Sequence, residues 1–343
     1  MQYDVTIGIP VYNVEKYIRQ TMDSVLTQTF ESIEFLICDD CGSDSSIDII
    51  REYQREHPRG KDIRIIRQPQ NKGVGEARNM IISEVRSKFI YFMDADDTIT
   101  PNAIELLYNN AIRYNAQIVY GSYERIHQME DNVIIPFHYP NLQFFEENEF
   151  ANYVYRSYDG IQANTWNFLV DINVYRNNNL KYLPINFWED FTFTMDLPTY
   201  ITRAVLISDI TYSYYCRYGT LSNYQKRDSI EKDEIIKTIH SLDIIKRNSD
   251  RIADKPYFTK RMEKVMFTCF YMACNIIKHR DIINPLFSDK EIRNILRSPL
   301  SLRKTLMMNP KSIKCIFLFI LEILPPAFSV FVIKKLGVFK GVI

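Results

Sequence analysis

The chain has 343 residues, enough for two domains of ordinary size, and 46% of them are hydrophobic, as in folded globular proteins. Lysine and arginine (42) balance aspartate and glutamate (42), so the formal net charge is zero and no nucleic-acid partner is expected. The six cysteines are too scattered for a disulfide framework, and no charged segment followed by an apolar one precedes the first strand, so we expect a cytoplasmic protein.

Strands and helices alternate over the first third of the chain. Apolar runs predict five strands, at Val5–Ile9, Ile33–Ile37, Ile63–Ile66, Phe89–Met93 and Gln117–Tyr120. The spacing of apolar residues predicts helices between them, the first of which Asn13 could cap. Strands separated by helices indicate βαβ units on a parallel sheet, an α/β fold whose ligands bind beyond the carboxyl ends of the strands.

Polar clusters follow three of these strands. They are Pro10–Asn13, Asp39 with Asp40, and the acidic motif Asp94-Ala95-Asp96-Asp97. Clustered carboxylates repel one another unless a cation lies between them, and Mg²⁺ is often bound by one or two carboxylates plus substrate phosphates. The acidic motif therefore predicts a divalent-metal site that holds a diphosphate, although a surface turn before a helix would also carry such acids.

Two further patterns imitate known sites. Gly73-Val74-Gly75 lies between a strand and a helix, as in a dinucleotide fingerprint, but the third glycine is missing and no glycine pattern follows the first strand. We therefore interpret Arg78, near the start of that helix, as a cation that faces a phosphate or a base. Cys38 and Cys41 have CxxC spacing, but no second cysteine or histidine pair nearby completes a zinc site.

Five motifs in a fixed order resemble those of the family 2 glycosyltransferases, over about residues 4–222. They are Ile9-Pro10-Val11-Tyr12-Asn13; Asp39-Asp40 with Ser43-Asp44-Ser45; Asn71-Lys72-Gly73 with Glu76-Ala77-Arg78-Asn79; Asp94-Ala95-Asp96-Asp97; and Trp188-Glu189-Asp190. The resemblance implies a GT-A fold and an inverting, metal-dependent transfer of a sugar from a nucleotide-diphosphate sugar. One departure is Cys41, which stands where the family usually has glycine.

The resemblance also implies which residues bind the donor. The nucleotide sugar would lie against Pro10, Val11, Tyr12, Asp39, Arg78, Asp94, Ala95 and Asp96. Asp39 would accept the uracil N3–H of a uridine donor. Asp96 and Asp94 would hold Mg²⁺ or Mn²⁺ on the diphosphate.

The general base implied by the resemblance is Asp190, and its neighbour Glu189 is the alternative. Both acids would equally suit the first turn of a short helix over about Phe191–Leu197, where carboxylates are stabilised. Arg217 is a further candidate that could reach the donor phosphates or the acceptor, with a solvated loop arginine as the other interpretation.

From about Asp228 the chain changes to a helical pattern, so we expect a GT-A domain over residues 1–225 and a helical C-terminal region over residues 226–343. Residues 301–343 carry seven lysines and arginines against one glutamate. Lys314, Glu322 and Pro325-Pro326 interrupt the apolar segment 313–333, which favours two short helices in the interface of an anionic membrane over one spanning helix. A helix in the core or in an oligomer contact is the alternative.

The sequence thus predicts an inverting, UDP-dependent hexosyl- or N-acetylhexosaminyl-transferase on the inner face of the cell membrane. Its acceptor would be lipid-linked or a polysaccharide, in capsule, O-antigen or exopolysaccharide synthesis. A nucleotidyltransferase would share the sheet and the metal-binding acids, but it needs a glycine-rich basic loop where this chain has Pro10–Asn13. A membrane-attached scaffold or nucleotide-binding protein of the same fold, without turnover, is the non-enzyme alternative.

Overall fold

The computed structural model describes residues 3–128, 132–156, 164–185, 188–217, 228–300 and 313–343. The chain divides into two compact units. The first comprises Met1–Phe150 with Gln162–Asn223, and the second comprises Ala151–Ile161 with Tyr224–Ile343. The predicted α/β architecture with a helical C-terminal region is confirmed.

Ten strands form one sheet in the described part of the first unit. They are β1 (Val5–Val11), β2 (Ile33–Asp39), β3 (Ile63–Arg67), β4 (Phe89–Phe92), β5 (Thr98–Ile99), β6 (Ile118–His127), β7 (Val133–Phe137), β8 (Leu142–Phe144), β9 (Phe168–Asp171) and β10 (Ala204–Cys216). Eight of them lie side by side in the order β3-β2-β1-β4-β9-β6-β10-β5, while β7 pairs with β6 and β8 pairs with β10.

The direction of the strands brings the predicted site residues to one edge of the sheet. β1 is parallel to β2 and to β4, and β2 is parallel to β3. β9 is antiparallel to both β4 and β6, and β10 is parallel to β6, so β6 and β10 run in the same direction as β1 and β4. The carboxyl ends of these strands therefore meet at the edge where ligands bind in such folds.

The described chain up to Asp196 contains seven helices. They are α1 (Ile18–Leu26), α2 (Ser46–Glu56), α3 (Val74–Glu84), α4 (Ala103–Arg113), α5 (Glu149–Arg156), α6 (Ile172–Asn177) and α7 (Glu189–Asp196). Every residue of β2 is buried, as expected for a strand covered on both faces by helices.

The predicted role of Asn13 as a helix cap is wrong. α1 begins at Ile18, after Tyr17, and no side chain caps it. Asn13 instead has a left-handed backbone (φ 52°), and its side-chain oxygen accepts a hydrogen bond from the Ser43 amide (2.8 Å). The side chain thus joins the loop after β1 to the loop after β2.

The described part of the second unit is helical. Its helices are α8 (Lys232–Asn248), α9 (Phe258–Lys278), α10 (Asp289–Ile295), α11 (Ile313–Ile323) and α12 (Pro326–Phe339), and the short parallel strands β11 (Ile230–Glu231) and β12 (Ile283–Asn284) pair. The fully buried Arg261 donates hydrogen bonds to Ser249 Oγ (3.0 Å) and to the Tyr155 hydroxyl (2.9 Å), which provides acceptors for two of its N–H groups in the core of this unit.

α11 and α12 are two short helices separated at Pro325 and Pro326. Proline cannot continue a helix but is compatible with its first turn, and α12 begins at Pro326. Among the helices of the described ranges, none has both the length and the apolar character needed to cross a bilayer.

Candidate active site

The acidic motif Asp94–Asp97 follows β4, and a neighbouring helix fixes its backbone. The buried Thr21 of α1 donates its hydroxyl to the carbonyl oxygens of Ala95 (3.0 Å) and Asp97 (2.9 Å). The Asp97 amide donates to the Asp94 carbonyl (3.3 Å). These bonds hold the backbone of the loop in a tight turn, which fixes the Cα positions from which its carboxylate side chains project.

Asp97 is the structural acid of the motif. Its carboxylate accepts hydrogen bonds from the Tyr212 hydroxyl (2.7 Å) and from the Tyr215 amide (2.9 Å), both in β10. Burial raises the pKa of Asp97 well above its ordinary value, and the charges of Asp96 and Asp94 add to this effect. The side chains of Asp94 and Asp96 keep 31% and 25% of their surface exposed, so these two can reach a ligand.

Arg78, on α3, lies buried between two acids from distant parts of the chain. Its Nη2 donates to Asp94 Oδ1 and its Nη1 donates to Glu189 Oε1, both at 2.9 Å. The guanidinium carbon lies 5.4 Å from the centre of the Tyr182 ring, within cation–π range. One buried cation therefore joins the acidic motif to the first turn of α7.

The two acids that begin α7 lie in different environments. The buried Glu189 is paired with Arg78, whereas the Asp190 carboxylate accepts a hydrogen bond from the Phe191 amide (2.6 Å). Burial raises the pKa of Asp190, and the charge on Glu189 adds to this effect while Arg78 opposes it. A carboxylate with a raised pKa is suited to accept a proton near neutral pH.

Arg217 directly follows β10 and is buried, so its interpretation as a solvated loop residue is wrong. Its Nη1 donates to the carbonyl oxygen (2.6 Å) and to Oδ2 (3.1 Å) of Asp96, and its Nε donates to Gln128 Oε1 (2.9 Å). The guanidinium carbon lies 4.2 Å from the centre of the Tyr17 ring. Arg217 thus pairs with Asp96 in the same way as Arg78 pairs with Asp94.

A cleft lies beyond the ends of β1 and β2, where the nucleoside site is predicted. Val11, Asp39 and Arg67 are among its lining residues. Asp39 Oδ1 accepts a hydrogen bond from the Cys41 amide (2.9 Å), and Asp39 Oδ2 lies 3.3 Å from Arg67 Nε. Tyr12 is the residue directly after β1, which ends with Pro10 and Val11, and 48% of its surface is exposed.

Asp40 shapes the site, although the sequence assigned it no role of its own. Its carboxylate accepts hydrogen bonds from the amides of Lys72 and Gly73, both at 3.0 Å. Gly73 has φ 86°, a conformation that favours glycine, and it immediately precedes α3. Asp40 therefore anchors the start of the helix that carries Arg78. Two features of the sequence could have indicated this contact: an acid next to Asp39 and a glycine just before a predicted helix.

Neither glycine of Gly73-Val74-Gly75 belongs to a dinucleotide fingerprint in this fold. A Cβ atom on Gly75 would lie 2.6 Å from the carbonyl oxygen of Leu183, so this glycine allows α3 to approach the segment before α7.

The CxxC pair is not a metal site either, because the Cys41 thiol donates to the Gln68 carbonyl (3.0 Å) and Cys38 Sγ lies 3.9 Å from Met80 Sδ.

The backbone of Cys41 has φ 59°, a left-handed conformation that suits the glycine expected here from the resemblance. A left-handed conformation costs a non-glycine residue about 1–2 kcal/mol. Cys41→Gly and Cys41→Ala both lose the thiol hydrogen bond, but only glycine removes the strain. Since glycine also gains conformational freedom in the unfolded chain, we expect Cys41→Gly to exceed Cys41→Ala in free energy of unfolding by roughly 0.5–1 kcal/mol in denaturant titrations. A glycine variant no more stable than the alanine variant would contradict the strain.

The donor set of Asp94 and Asp96 fits a divalent cation shared with a diphosphate. Each carboxylate is partly exposed and binds an arginine through one oxygen, Asp94 through Oδ1 and Asp96 through Oδ2. Burial raises the pKa of Asp96 to about 6 and Asp94 adds to this, so the negative charge here is incompletely balanced by Arg217. No group of three acidic, histidine or cysteine side chains is arranged to hold a metal in the described ranges, but Mg²⁺ uses one or two carboxylates plus phosphates.

Comparison with known proteins decides the family. Residues 6–174 match the family described as Glycosyl transferase family 2. This part of the chain is a family 2 glycosyltransferase domain. The matched region includes the first four motifs and ends before Trp188–Asp190. The crystal structure of S. aureus TarS 1–349 superposes with a TM-score of 0.62 at 14% identity, over 98% of this chain and 92% of that one, and the shared fold is of the GT-A type.

Two curated relatives show how far the family 2 likeness extends. Glycosyltransferase GlyA of Streptococcus pneumoniae serotype 4 is 28% identical over 229 residues, which are 64% of this chain and 31% of GlyA. The Escherichia coli protein named UDP-Glc:alpha-D-GlcNAc-diphosphoundecaprenol beta-1,3-glucosyltransferase WfgD is 33% identical over 124 residues, which are 36% of this chain and 47% of WfgD. The chain therefore spans less than half of the length of either relative.

Proposed function

We propose that this family 2 protein transfers a hexosyl or N-acetylhexosaminyl group from a UDP-sugar, with inversion, to an acceptor hydroxyl. The observation that carries the proposal is the Arg78 bridge. It places the acidic motif, suited to a diphosphate, beside the helix that begins with Glu189 and Asp190. A structure of TarS in complex with UDP-GlcNAc and the name of WfgD support a uridine donor.

The donor would bind across the carboxyl ends of β1, β2 and β4. Asp39 would accept the uracil N3–H in the cleft that it lines, and Pro10, Val11 and Tyr12 would border the base and the ribose. Asp94 and Ala95 would approach the ribose and the diphosphate. The exposed ring of Tyr12 offers a flat surface on which a base can stack.

Asp96 and Asp94 would hold Mg²⁺ or Mn²⁺ at the diphosphate. When bound, such a cation neutralises the charge that develops on the leaving nucleoside diphosphate. Before the donor arrives, Arg217 and Arg78 compensate the same two carboxylates, which lowers their mutual repulsion. The two arginines thereby keep both acids in position.

Asp190 would act as the general base. Its carboxylate would take the proton of the acceptor hydroxyl while that oxygen attacks the anomeric carbon, on the face opposite to the diphosphate, which inverts the configuration. Its raised pKa suits this proton transfer. Glu189 is held by Arg78, so we assign it to positioning rather than to proton transfer.

The acceptor would be a saccharide, either lipid-linked or part of a growing surface polysaccharide of the capsule, O-antigen or exopolysaccharide kind. The name of WfgD, which includes a diphosphoundecaprenol, supports a lipid-linked acceptor. The excess of lysine and arginine over acid in residues 301–343 supports work at the inner face of a membrane.

A nucleotide-release screen tests the proposal. The purified protein is incubated with Mg²⁺ or Mn²⁺ and a panel of UDP-, GDP- and dTDP-sugars, and the released nucleoside diphosphate is measured. We expect release of UDP from one donor and its loss on chelation of the metal. Calorimetry on the same panel measures binding independently of turnover. If the protein binds none of the UDP-sugars in the presence of metal, the proposal is contradicted. If it binds one but transfers no sugar to any acceptor, the scaffold is favoured.

A further inference from the structure

The helices α11 and α12 each bury one side within the second unit. Leu318 and Leu321 of α11 and Ile333 of α12 are almost fully buried, and a Cβ on Gly337 would lie 3.0 Å from Cys274 Sγ in α9. These contacts fix which side of each helix faces outward.

The outward sides of both helices are apolar. Their large exposed hydrophobic residues, which we call the C-terminal apolar face, are Phe317, Ile320, Ile323, Phe328, Phe331, Val338 and Phe339. Residues three apart in a helix lie on one side of it, and the rings of Phe328 and Phe331 stack with centres 6.4 Å apart. Water-exposed aromatic clusters of this kind usually mark an interaction surface.

Lysines accompany this face. Lys334, Lys335 and Lys340 are all exposed, and Lys335 Nζ lies 5.8 Å from the centre of the Phe331 ring. Glu322 is the only acid in the sequence of residues 313–343, and its Oε2 accepts the Ser298 amide (2.9 Å). The surface is therefore apolar with a positive margin.

We propose that the C-terminal apolar face inserts into the headgroup and upper acyl region of an anionic bilayer. With 11 and 14 residues, α11 and α12 are about 16 and 21 Å long, too short for a hydrocarbon core of about 30 Å, so they lie in the interface. A second copy of this chain fits less well, because a contact between two such faces brings lysines of equal charge together. The inference deepens the proposed membrane setting and rests on it for its role, which is to bring the enzyme to a lipid-linked acceptor.

Vesicle co-sedimentation of the full chain tests this. We expect binding to phosphatidylcholine vesicles that contain phosphatidylglycerol and much weaker binding to phosphatidylcholine alone. Lys334→Gln with Lys335→Gln should weaken anionic binding by roughly 25-fold, at about 5-fold per lysine. Phe328→Ser with Phe331→Ser should reduce binding to both vesicle types at least 10-fold. The matched control is Val133→Ser with Ile135→Ser, two exposed apolar residues of β7 in the other unit, which should bind as the unchanged protein does.

Two outcomes would overturn the inference. One is vesicle binding that is absent or equal in all variants. The other is a dimer, seen by analytical ultracentrifugation, that the phenylalanine variant loses while vesicles bind neither form. UDP release by the same variants keeps this result separate from the proposed function, since the catalytic residues lie in the first unit. A protein that binds vesicles but binds no UDP-sugar in the presence of metal would support the membrane face and contradict the transfer reaction.

Discussion

Asp190→Asn is expected to lower kcat for sugar transfer by about 10²–10⁴-fold, the usual contribution of a positioned general base. Asparagine has nearly the same shape but cannot accept the proton of the acceptor hydroxyl. Affinity for UDP should stay close to that of the unchanged protein, because Asp190 is not assigned to the nucleotide. Steady-state kinetics with the donor found in the screen, together with UDP titration by calorimetry, would measure both quantities.

The pH dependence of the unchanged enzyme should carry the signature of this base. Because burial and Glu189 raise the pKa of Asp190, its carboxylate becomes protonated and inactive at a higher pH than an ordinary aspartate. kcat/KM should therefore fall as the pH is lowered through that raised pKa, not near pH 4. This fall of kcat/KM on the acidic side of the pH profile, the acidic limb, should be absent in Asp190→Asn, because the residual activity of that variant does not depend on the base.

Glu189→Gln is the matched control for the base. It removes a neighbouring negative charge, so the acidic limb should move to lower pH while most of kcat is retained. A loss of kcat as large as that of Asp190→Asn, with no shift of the limb, would instead assign the base to Glu189.

Asp96→Asn is expected to remove metal-dependent transfer, with a loss of at least 10²-fold in kcat/KM. Lewis-acid stabilisation by a bound divalent ion supplies several kcal/mol, and about 1.4 kcal/mol corresponds to a tenfold change in rate. The substitution deletes the charge that would hold the cation and leaves the buried Arg217 opposite a neutral amide. Mn²⁺ binding in the presence of UDP, followed by electron paramagnetic resonance, would report the loss independently of turnover.

The control for Asp96→Asn is Asp209→Asn, which changes an exposed acid on β10 by the same chemistry. It should leave Mn²⁺ binding and transfer within about twofold, as surface substitutions usually do. Thermal unfolding of both variants would show whether the loss of Arg217's partner has also weakened the fold. Unchanged Mn²⁺ affinity in a folded Asp96→Asn protein would remove Asp96 from the metal site.

Much of the fold followed from local patterns. The runs Ile33–Ile37 and Phe89–Met93 indicated strands because a buried parallel strand needs apolar residues on both faces, and the structure has β2 and β4 there. Parallel direction then implied that Asp39 and Asp94 lie at the same edge of the sheet. These inferences work because they depend on periodicity and chain direction, both of which a sequence carries.

The contacts of Arg78 and Arg217 could not be predicted from local sequence patterns. Arg78 and Glu189 are 111 residues apart, and Arg217 and Asp96 are 121 residues apart, so no spacing rule relates them. The sequence suggested that Arg78 faces a ligand, whereas the structure pairs it with two acids. Such pairs form only when separate strands and helices have been packed against one another.

The sequence by itself determined the α/β fold class, the position of the acidic motif and the family to which residues 6–174 belong. Only the tertiary structure decided which acid of the motif is buried and which stays partly exposed. Asp96 and Asp97 are adjacent and chemically identical, yet Tyr212 from β10 takes Asp97 as a buried acceptor, and Asp96 is left partly exposed beside Arg217. The difference is one of burial and of partners, and both are set by residues more than a hundred positions away.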